Sequence, residues 1–353
     1  MVIFGAGASY DSASDYPPPV PDRDPRVAYR SKTGHEQFRP PLANELFENR
    51  EMFRSVLQRF PECKALVTRL HHPSPSVEEQ LEQIQGDAEE YPVYYQRLAA
   101  VRFYLRDVIR STEEGWESIH KNITNHLTLF DVIERWRRTH EERVVIVTFN
   151  YDRMIETALA EFQIPCRTLD DYIRDDRYKL IKVHGSIDWA RPVGHITTAT
   201  RHDHVVGHMI ADAQHLNLAA PIEVISNWNV PNSKEGANKE VIGLFPAIAI
   251  PVVQKQKFEC PDTHLEALRN AIRTVTKILT IGWRGMERHF LEELKKHRLN
   301  VPRDLKVIGS GHEDSTEIAQ RLFRAGITRD WYPSESGFSN VIRSREIETF
   351  LAL

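Results

Sequence analysis

Cysteine is scarce: Cys63, Cys166 and Cys260 are the three in a chain of 353 residues. With no Cys-x-x-Cys pair, neither a disulfide framework nor a four-cysteine zinc site can be assembled. A reducing, cytoplasmic setting is the expectation. No apolar run approaches the ~20 residues needed to span a bilayer. The apolar start breaks at Gly5 without a basic leader, so no secretory signal is expected. Charge of one sign is also missing. The net value is −4 from 46 basic and 50 acidic residues, which argues against a surface given over to nucleic acid. Internal repeats and low-complexity tracts are absent too.

What is there is a globular balance, 41% hydrophobic and 27% charged, with ample material for a core. The length suggests one large domain with an insertion, or two domains. Residues 1–4 read as a short strand entering Gly5-Ala6-Gly7-Ala8-Ser9, an abrupt start that leaves open whether residues precede Met1. Residues 16–41 are rich in proline and charge and read as a loop. From 42 to 140 the spacing predicts helices. Leu42, Leu46, Phe53, Val56, Leu57 and Phe60 suit one, and a capping box at Ser76 and Glu79 starts a second. A third is expected over 91–109 and a fourth over 116–136, the latter from the spacing of Ile119, Ile123, Leu127, Phe130, Ile133 and Trp136.

The character then changes. Residues 143–149 form a β-branched run, and 179–183, 222–225, 247–251, 278–281 and 305–308 are further apolar runs. Helical stretches follow several of them, at 263–274, 286–297 and 315–325. Continuous apolar strands alternating with helices predict an α/β fold, a parallel sheet covered on both faces. The expected division is 1–11 plus 141–353 for this domain, with 12–140 as a mostly helical insertion that starts in the proline-rich loop.

In a doubly wound sheet, ligands bind beyond the carboxyl ends of the strands, and polar residues recur there. Gly5-x-Gly7-x-Ser9 suits close approach of a pyrophosphate to a helix N-terminus. It is not the full dinucleotide fingerprint, because position 10 is Tyr, and no Gly-Lys-Ser/Thr follows to make it a P-loop. Thr148-Phe149-Asn150-Tyr151-Asp152 ends the strongest strand, with Asn150 and Asp152 able to face one cleft. Asp152 would equally serve as a helix cap. Lys182-Val183-His184-Gly185-Ser186 ends another strand and sets an imidazole at its tip.

These motifs together, in this order, resemble the sirtuin-like family, specifically its bacterial antiviral-defence branch. Residues 247–251, Lys255-Gln256-Lys257-Phe258, Ile281-Gly282-Trp283 and Val307-Ile308-Gly309-Ser310 fit as well. In the insertion, Val77-Glu78-Glu79-Gln80-Leu81 is reminiscent of the branch. The resemblance implies a Rossmann-like, doubly wound NAD-binding domain. Gly5, Ala6, Gly7 and Ser9 would form its phosphate turn, Thr148 and Phe149 would flank the ligand, and Asn150, Asp152 and His184 would be catalytic. Gly282 and Trp283 would lie near the nicotinamide-side ribose, Gly309 and Ser310 near the adenosine ribose. Phe149 replaces a family glutamine, and Trp283-Arg284 replaces a Thr-Ser pair. The missing zinc cysteines move the expectation from lysine deacylation to hydrolysis of NAD, with no metal.

The expected activity is therefore an NAD glycohydrolase that releases ADP-ribose and nicotinamide, an NAD-depleting effector of antiphage defence. A non-catalytic NAD- or ADP-ribose-binding scaffold, and a zinc-free deacylase or ADP-ribosyltransferase, are the alternatives. After the sheet domain only 338–353 remain, enough for one terminal helix. Activation is thus expected from homo-oligomerisation or from a separate sensor, an ATPase or nucleic-acid-guided protein. Other features read as ordinary structure: Arg201-His202-Asp203-His204 with His208 as a polar loop rather than a metal site, Asp170-Asp171 and Asp175-Asp176 as a solvated turn, Arg135-Trp136-Arg137-Arg138 as a basic helix end, and Trp189 and Trp228 as packing.

Overall fold

The computed structural model describes residues 1–19, 34–70, 76–196, 202–225, 233–235, 241–252, 258–297 and 303–353. Pro21 and Pro25 of the proline-rich stretch, Trp228, Arg201 and Lys255-Gln256-Lys257 lie outside the described residues, as do the side chains of His202, Asp203 and His204. The chain opens with β1 (Val2–Phe4) and α1 (Ala6–Tyr10). Helices α2 (Glu51–Gln58), α3 (Pro61–Leu70), α4 (Val77–Gly86), α5 (Val93–His120) and α6 (Asn125–His140) follow. Next come β2 (Val144–Thr148), α7 (Met154–Ala160), α8 (Asp171–Arg174), β3 (Tyr178–Lys182), β4 (Gly185–Ile196), α9 (His202–Ala211), β5 (Glu223–Val224), β6 (Ser233–Glu235) and β7 (Val241–Ile248). The last part holds α10 (Asp262–Ile272), β8 (Lys277–Ile281), α11 (Arg288–Lys296), β9 (Asp304–Ile308), α12 (His312–Arg324), β10 (Asp330–Pro333), α13 (Phe338–Arg343) and α14 (Glu346–Ala352).

Six strands form a parallel sheet in the order β10-β9-β8-β1-β2-β3. Numbered along the chain these are 3-2-1-4-5-6, the doubly wound order, which reverses between β1 and β8. The sheet is α/β as the apolar runs predict, and alternate side chains explain why those runs are continuous. Val2, Phe4, Val144, Ile146, Leu279 and Ile281 pack on one side against α6, α7, α13 and α14. Ile3, Val145, Val147, Ile278, Leu305 and Val307 pack on the other against α10, α11 and α12. Both faces are buried, which is why the runs are mostly apolar, with Thr148, Lys182 and Thr280 among the buried polar exceptions.

Several elements differ from the sequence reading. The runs at 222–225 and 247–251 do not join the parallel sheet: β5 and β7 flank β4 in a separate antiparallel sheet, order β5-β4-β7-β6. β7 ends at Ile248, and an apolar run carries no signal of strand direction. β10 shows no continuous apolar run because it is a half-exposed edge strand. Helices α5 and α6 break at His120, where Lys121 and Asn122 take positive φ and Thr124 caps the next helix through Leu127 N at 3.2 Å, so 116–136 is not one helix. Ile123 falls in that break and is exposed. The helix expected from Leu42 is likewise interrupted, with a short 3-10 turn at Ala43–Glu45 before α2. The C-terminal stretch is two short helices, parted at Ser344 and Arg345. The capping box at Ser76 and Glu79 forms as read.

Helices α2 to α5 pack together and onto the second sheet, sharing a core with Ile187, Phe245 and Ile248. By contrast α6 lays Leu129, Phe130 and Ile133 on the parallel sheet beside Phe4 and Ile146.

At the reversal of strand order, two turns interlock. Gly5 N donates to Ile281 O at 3.0 Å and Gly7 N to Gly282 O at 3.1 Å. A Cβ on Gly5 would stand 2.4 Å from Gly282 O, and one on Gly282, whose φ is +60, would stand 2.2 Å from Ala8 N. Neither main chain can give way without leaving its own strand. We expect Gly282→Ala to destabilise the chain by at least about 2 kcal/mol, from left-handed backbone and the contact together. Differential scanning calorimetry should show a Tm lower by roughly 3 °C or more; an unchanged Tm would refute the interlock.

Candidate active site

The residues singled out from sequence lie at the carboxyl ends of five adjacent strands. In sheet order they are Gly309 and Ser310 after β9, Gly282 and Trp283 after β8, Gly5 to Ser9 after β1, Asn150 and Asp152 after β2, and His184 after β3. Ser9 links two of the groups. Asn150 Nδ2 donates to Gly5 O at 2.9 Å and to Ser9 Oγ at 2.8 Å. Ser9 Oγ in turn donates to Asp152 Oδ2 at 2.7 Å. The Asn150 main-chain N donates to Thr148 Oγ1 at 3.1 Å, so Thr148 shapes the turn. Asp152 Oδ1 accepts from Met154 N at 3.2 Å at the start of α7. Asp152 therefore does both things the sequence allowed: it holds a helix start and faces the glycine turn. Ser9, Asn150, Asp152 and His184 are all buried.

His184 is set by its neighbours on both sides. Its carbonyl accepts from Ala249 N at 2.9 Å, and the carbonyl of Val183 accepts from Glu259 N at 3.0 Å. Gly185, at φ +80, turns the chain into β4 with its Cα against the carbonyl of Ala247, where a Cβ would sit 1.9 Å away.

Phe149 and Trp283 form one feature. Phe149 and Trp283 stack in parallel, ring centres 5.3 Å apart and planes 5° from each other. Phe290 meets both edge-on, at 5.3 and 5.6 Å, and the His184 ring meets Phe149 edge-on at 5.0 Å. Trp283 Nε1 donates to Glu287 Oε2 at 2.5 Å. An apolar wall of this kind orients the imidazole through ring contacts. Further along, Gly309 N donates to Ser315 Oγ at 2.9 Å and Ser310 N to Asp314 Oδ2 at 2.8 Å, so this turn is braced by its own helix α12.

Other groups at the site were not picked out from the sequence. Lys182 is wholly buried. Its ammonium donates to the main-chain oxygen of Asp152 and pairs with Glu156 Oε1 at 2.9 Å. A lysine sharing parity with Tyr178 and Leu180 on an inward face was the available signal. Asp11, at the end of α1, accepts from Ser339 N at 3.0 Å and from the Ser339 hydroxyl, capping α13 from a distant part of the chain. No local pattern announces such a cap. Glu113 on α5 accepts from Arg153 N and Arg153 Nε, both at 3.1 Å, while Arg153 Nη1 reaches Asp188 Oδ2 at 3.1 Å.

The remaining sequence features are structural where they are described, but the stretch from His202 to His208, read as a polar loop, lies in helix α9. Asp171 accepts from Thr168 N at 2.8 Å and Asp175 from Arg177 N at 2.7 Å, each bracing its turn. Arg137 and Arg138 pair with Glu134, and Trp189 is core. Among the described residues no cluster of three or more histidines, cysteines or acids is arranged to hold a metal, and no helix is long and apolar enough to cross a membrane.

Glu113 carries a pH dependence. Burial pushes its carboxyl up to about 8, against the pull of Arg153 and with the charges of Asp152 and Glu156 adding to the rise. The folded chain keeps this proton at pH values where the unfolded chain, near 4.5, has released it. Folded protein thus binds the extra proton, and stability falls as pH climbs from 4.5 to about 8. Melting wild type and Glu113→Gln across that interval should show the wild type losing Tm relative to the variant as pH rises; a constant difference would refute the assignment.

Comparison with known proteins gives one family match: the model described as a SIR2-like domain matches residues 144–216. That segment runs from β2 past α9 and holds Asn150, Asp152 and His184, but not the turn at Gly5. No curated protein matches the chain. Among solved structures, a mutant Sir2 homologue in complex with ADP-ribose is similar at 12% identity and a TM-score of 0.40, over 100% of this chain and 93% of that one. A second, a mutant Sir2 homologue with 2'-O-acetyl ADP-ribose, is similar at 11% identity and a TM-score of 0.37, over 100% and 92%. The segment that carries the asparagine, aspartate and histidine is thus similar to a SIR2-like domain.

Proposed function

We propose that the chain is a sirtuin-like NAD glycohydrolase that cleaves the nicotinamide–ribose bond, releasing nicotinamide and ADP-ribose. The observation that carries this reading is the meeting of Asn150 and Asp152 on Ser9 of the glycine turn, with His184 on the next strand, at the reversal of strand order. The match of 144–216 to a SIR2-like domain supports it. Gly5, Ala6, Gly7 and Ser9 would take the pyrophosphate, Gly309 and Ser310 the adenosine ribose, and Gly282 the nicotinamide-side ribose. Thr148, Phe149 and Trp283 would shape the floor. The nucleotide-binding part is proposed as 1–11 with 141–353, and 12–140 as the inserted helices, of which α6 lends an apolar face to the sheet.

Nicotinamide leaves as a neutral molecule, so its departure puts positive charge on the ribose. Water then forms the new bond to the same carbon and gives up a proton. In this scheme Asn150 positions the water or a ribose hydroxyl, Asp152 faces the developing cation or the leaving amide, and His184 takes the proton. A ligand has to compete with Ser9 for the side chains of Asn150 and Asp152, because the three now satisfy one another. The wall of Phe149, Trp283 and Phe290 would keep bulk water from the imidazole.

A second reading is a scaffold that binds NAD or ADP-ribose without turnover. Its support is that Ser9, Asn150 and Asp152 are mutually satisfied and the amides of Gly309 and Ser310 are braced internally. In the cell, the hydrolase would deplete NAD as a cytoplasmic effector of antiphage defence. Its trigger would be self-assembly or a separate sensor, an ATPase or nucleic-acid-guided protein.

Incubation with NAD, with and without candidate activators, and chromatography of the products tests these readings. Nicotinamide and ADP-ribose in equal amounts are expected, with losses of about 10²–10⁴ in rate for His184→Ala and a comparable loss for Asn150→Ala. Turnover unchanged in both variants would remove the assignment. Intact but bound NAD would favour the scaffold. Consumption only with an acyl-peptide or protein acceptor would point to a deacylase or ADP-ribosyltransferase.

A further inference from the structure

We propose that Lys182 is a positioning residue that fixes the turn carrying Asn150 and Asp152 against His184; its catalytic consequence rests on the hydrolase reading above. Lys182 is opposite Thr148 in the β2–β3 register, two residues before His184. Its side chain is wholly buried, and its ammonium is engaged inside the protein. The ammonium instead crosses to the neighbouring strand's exit and donates to the main-chain oxygen of Asp152. It also pairs with Glu156 Oε1 at 2.9 Å, within the first turn of α7. Glu156 accepts from the Tyr172 hydroxyl at 3.1 Å, and that hydroxyl accepts from Trp189 Nε1 at 3.4 Å.

A buried ammonium is costly unless acceptors surround it. Here one acceptor is the Asp152 carbonyl itself. Any swing of the turn that withdraws this carbonyl leaves the cation short of a partner, so the lysine resists that motion. Asp152 is thus held twice: its main chain by Lys182, and its carboxylate by Ser9 Oγ at 2.7 Å and Met154 N at 3.2 Å. The same lysine belongs to the strand that ends in His184. One charge therefore sets the spacing between the aspartate turn and the histidine.

A role in stability alone makes a different prediction. Replacing both members of a buried ion pair by neutral residues of similar size is often harmless to the fold. Lys182→Met/Glu156→Gln removes the charges while leaving an acceptor for the Tyr172 hydroxyl. The full chain carrying this pair of changes is expected to melt within a few degrees of wild type. Hydrogen exchange of the amides of 152–154 should accelerate about tenfold or more, with the amides of β2 and β3 unchanged. In NAD hydrolysis kcat should fall by roughly 10²-fold with KM nearly constant, the signature of misplacement rather than lost binding. Should the double variant melt far below wild type, Lys182→Arg supplies the same comparison. It keeps the charge but moves the donors, so faster exchange at 152–154 is again expected. Unchanged exchange at 152–154 overturns the proposal, and so does unchanged kcat in a variant whose exchange has risen. A wild-type chain that leaves NAD intact overturns the hydrolase reading instead, and the exchange measurement still decides whether Lys182 fixes the turn.

Discussion

Two polypeptide backbones touch where the strand order reverses, and side chains are excluded from the contact. The turn after β1 lies on the turn after β8, with Gly5 and Gly7 each set so close to Gly282 that a Cβ on either would clash with it. Hydrogen bonds from Gly5 N and Gly7 N cross the junction. This closeness lets β1 sit in the middle of the sheet with β2 and β8 on either side. It also brings the exits of β8, β1 and β2 near enough for Asn150 to reach Gly5 and for Phe149 to stack on Trp283. The glycines have a structural reason to be glycine before any phosphate is considered. The backbone of this turn is already committed to holding two strand exits together.

The parallel sheet was legible because burial on both faces writes itself into the sequence as unbroken apolar runs, as in β2 and β8. Strand direction is not written in this way, which is why β7 and β5 were assigned to the wrong sheet. Helix ends were legible where a side chain caps its own helix, as at Ser76. At Asp11 the cap acts on α13, more than three hundred residues away, and no window of sequence contains both partners.

Of the site, the strand-end polar residues could be named because each stands beside a glycine or at the close of an apolar run. Their supports could not. Lys182 looks like any lysine at a strand end until its neighbours on β2 and α7 are known. Glu113 looks like a helix-surface acid until Arg153, itself paired with Asp188, closes over it. Phe149 and Trp283 read as separate irregularities, and only their stacking makes them one wall. Side chains that meet ligand leave traces in short motifs, whereas side chains that hold those residues still are specified by contacts across the fold.

The bond from Asp11 to Ser339 spans 328 positions, and β1 pairs with strands that are themselves far along the chain. Closing such loops costs entropy that only the finished packing returns, so topologies of this kind assemble slowly. The glycine turn after β1 is accordingly among the last parts of the chain to take its shape. Without β8, Val2, Ile3 and Phe4 would be an apolar segment with one edge unpaired. A fragment lacking β8 would lose the shape of the turn after β1, because that turn rests on Gly282.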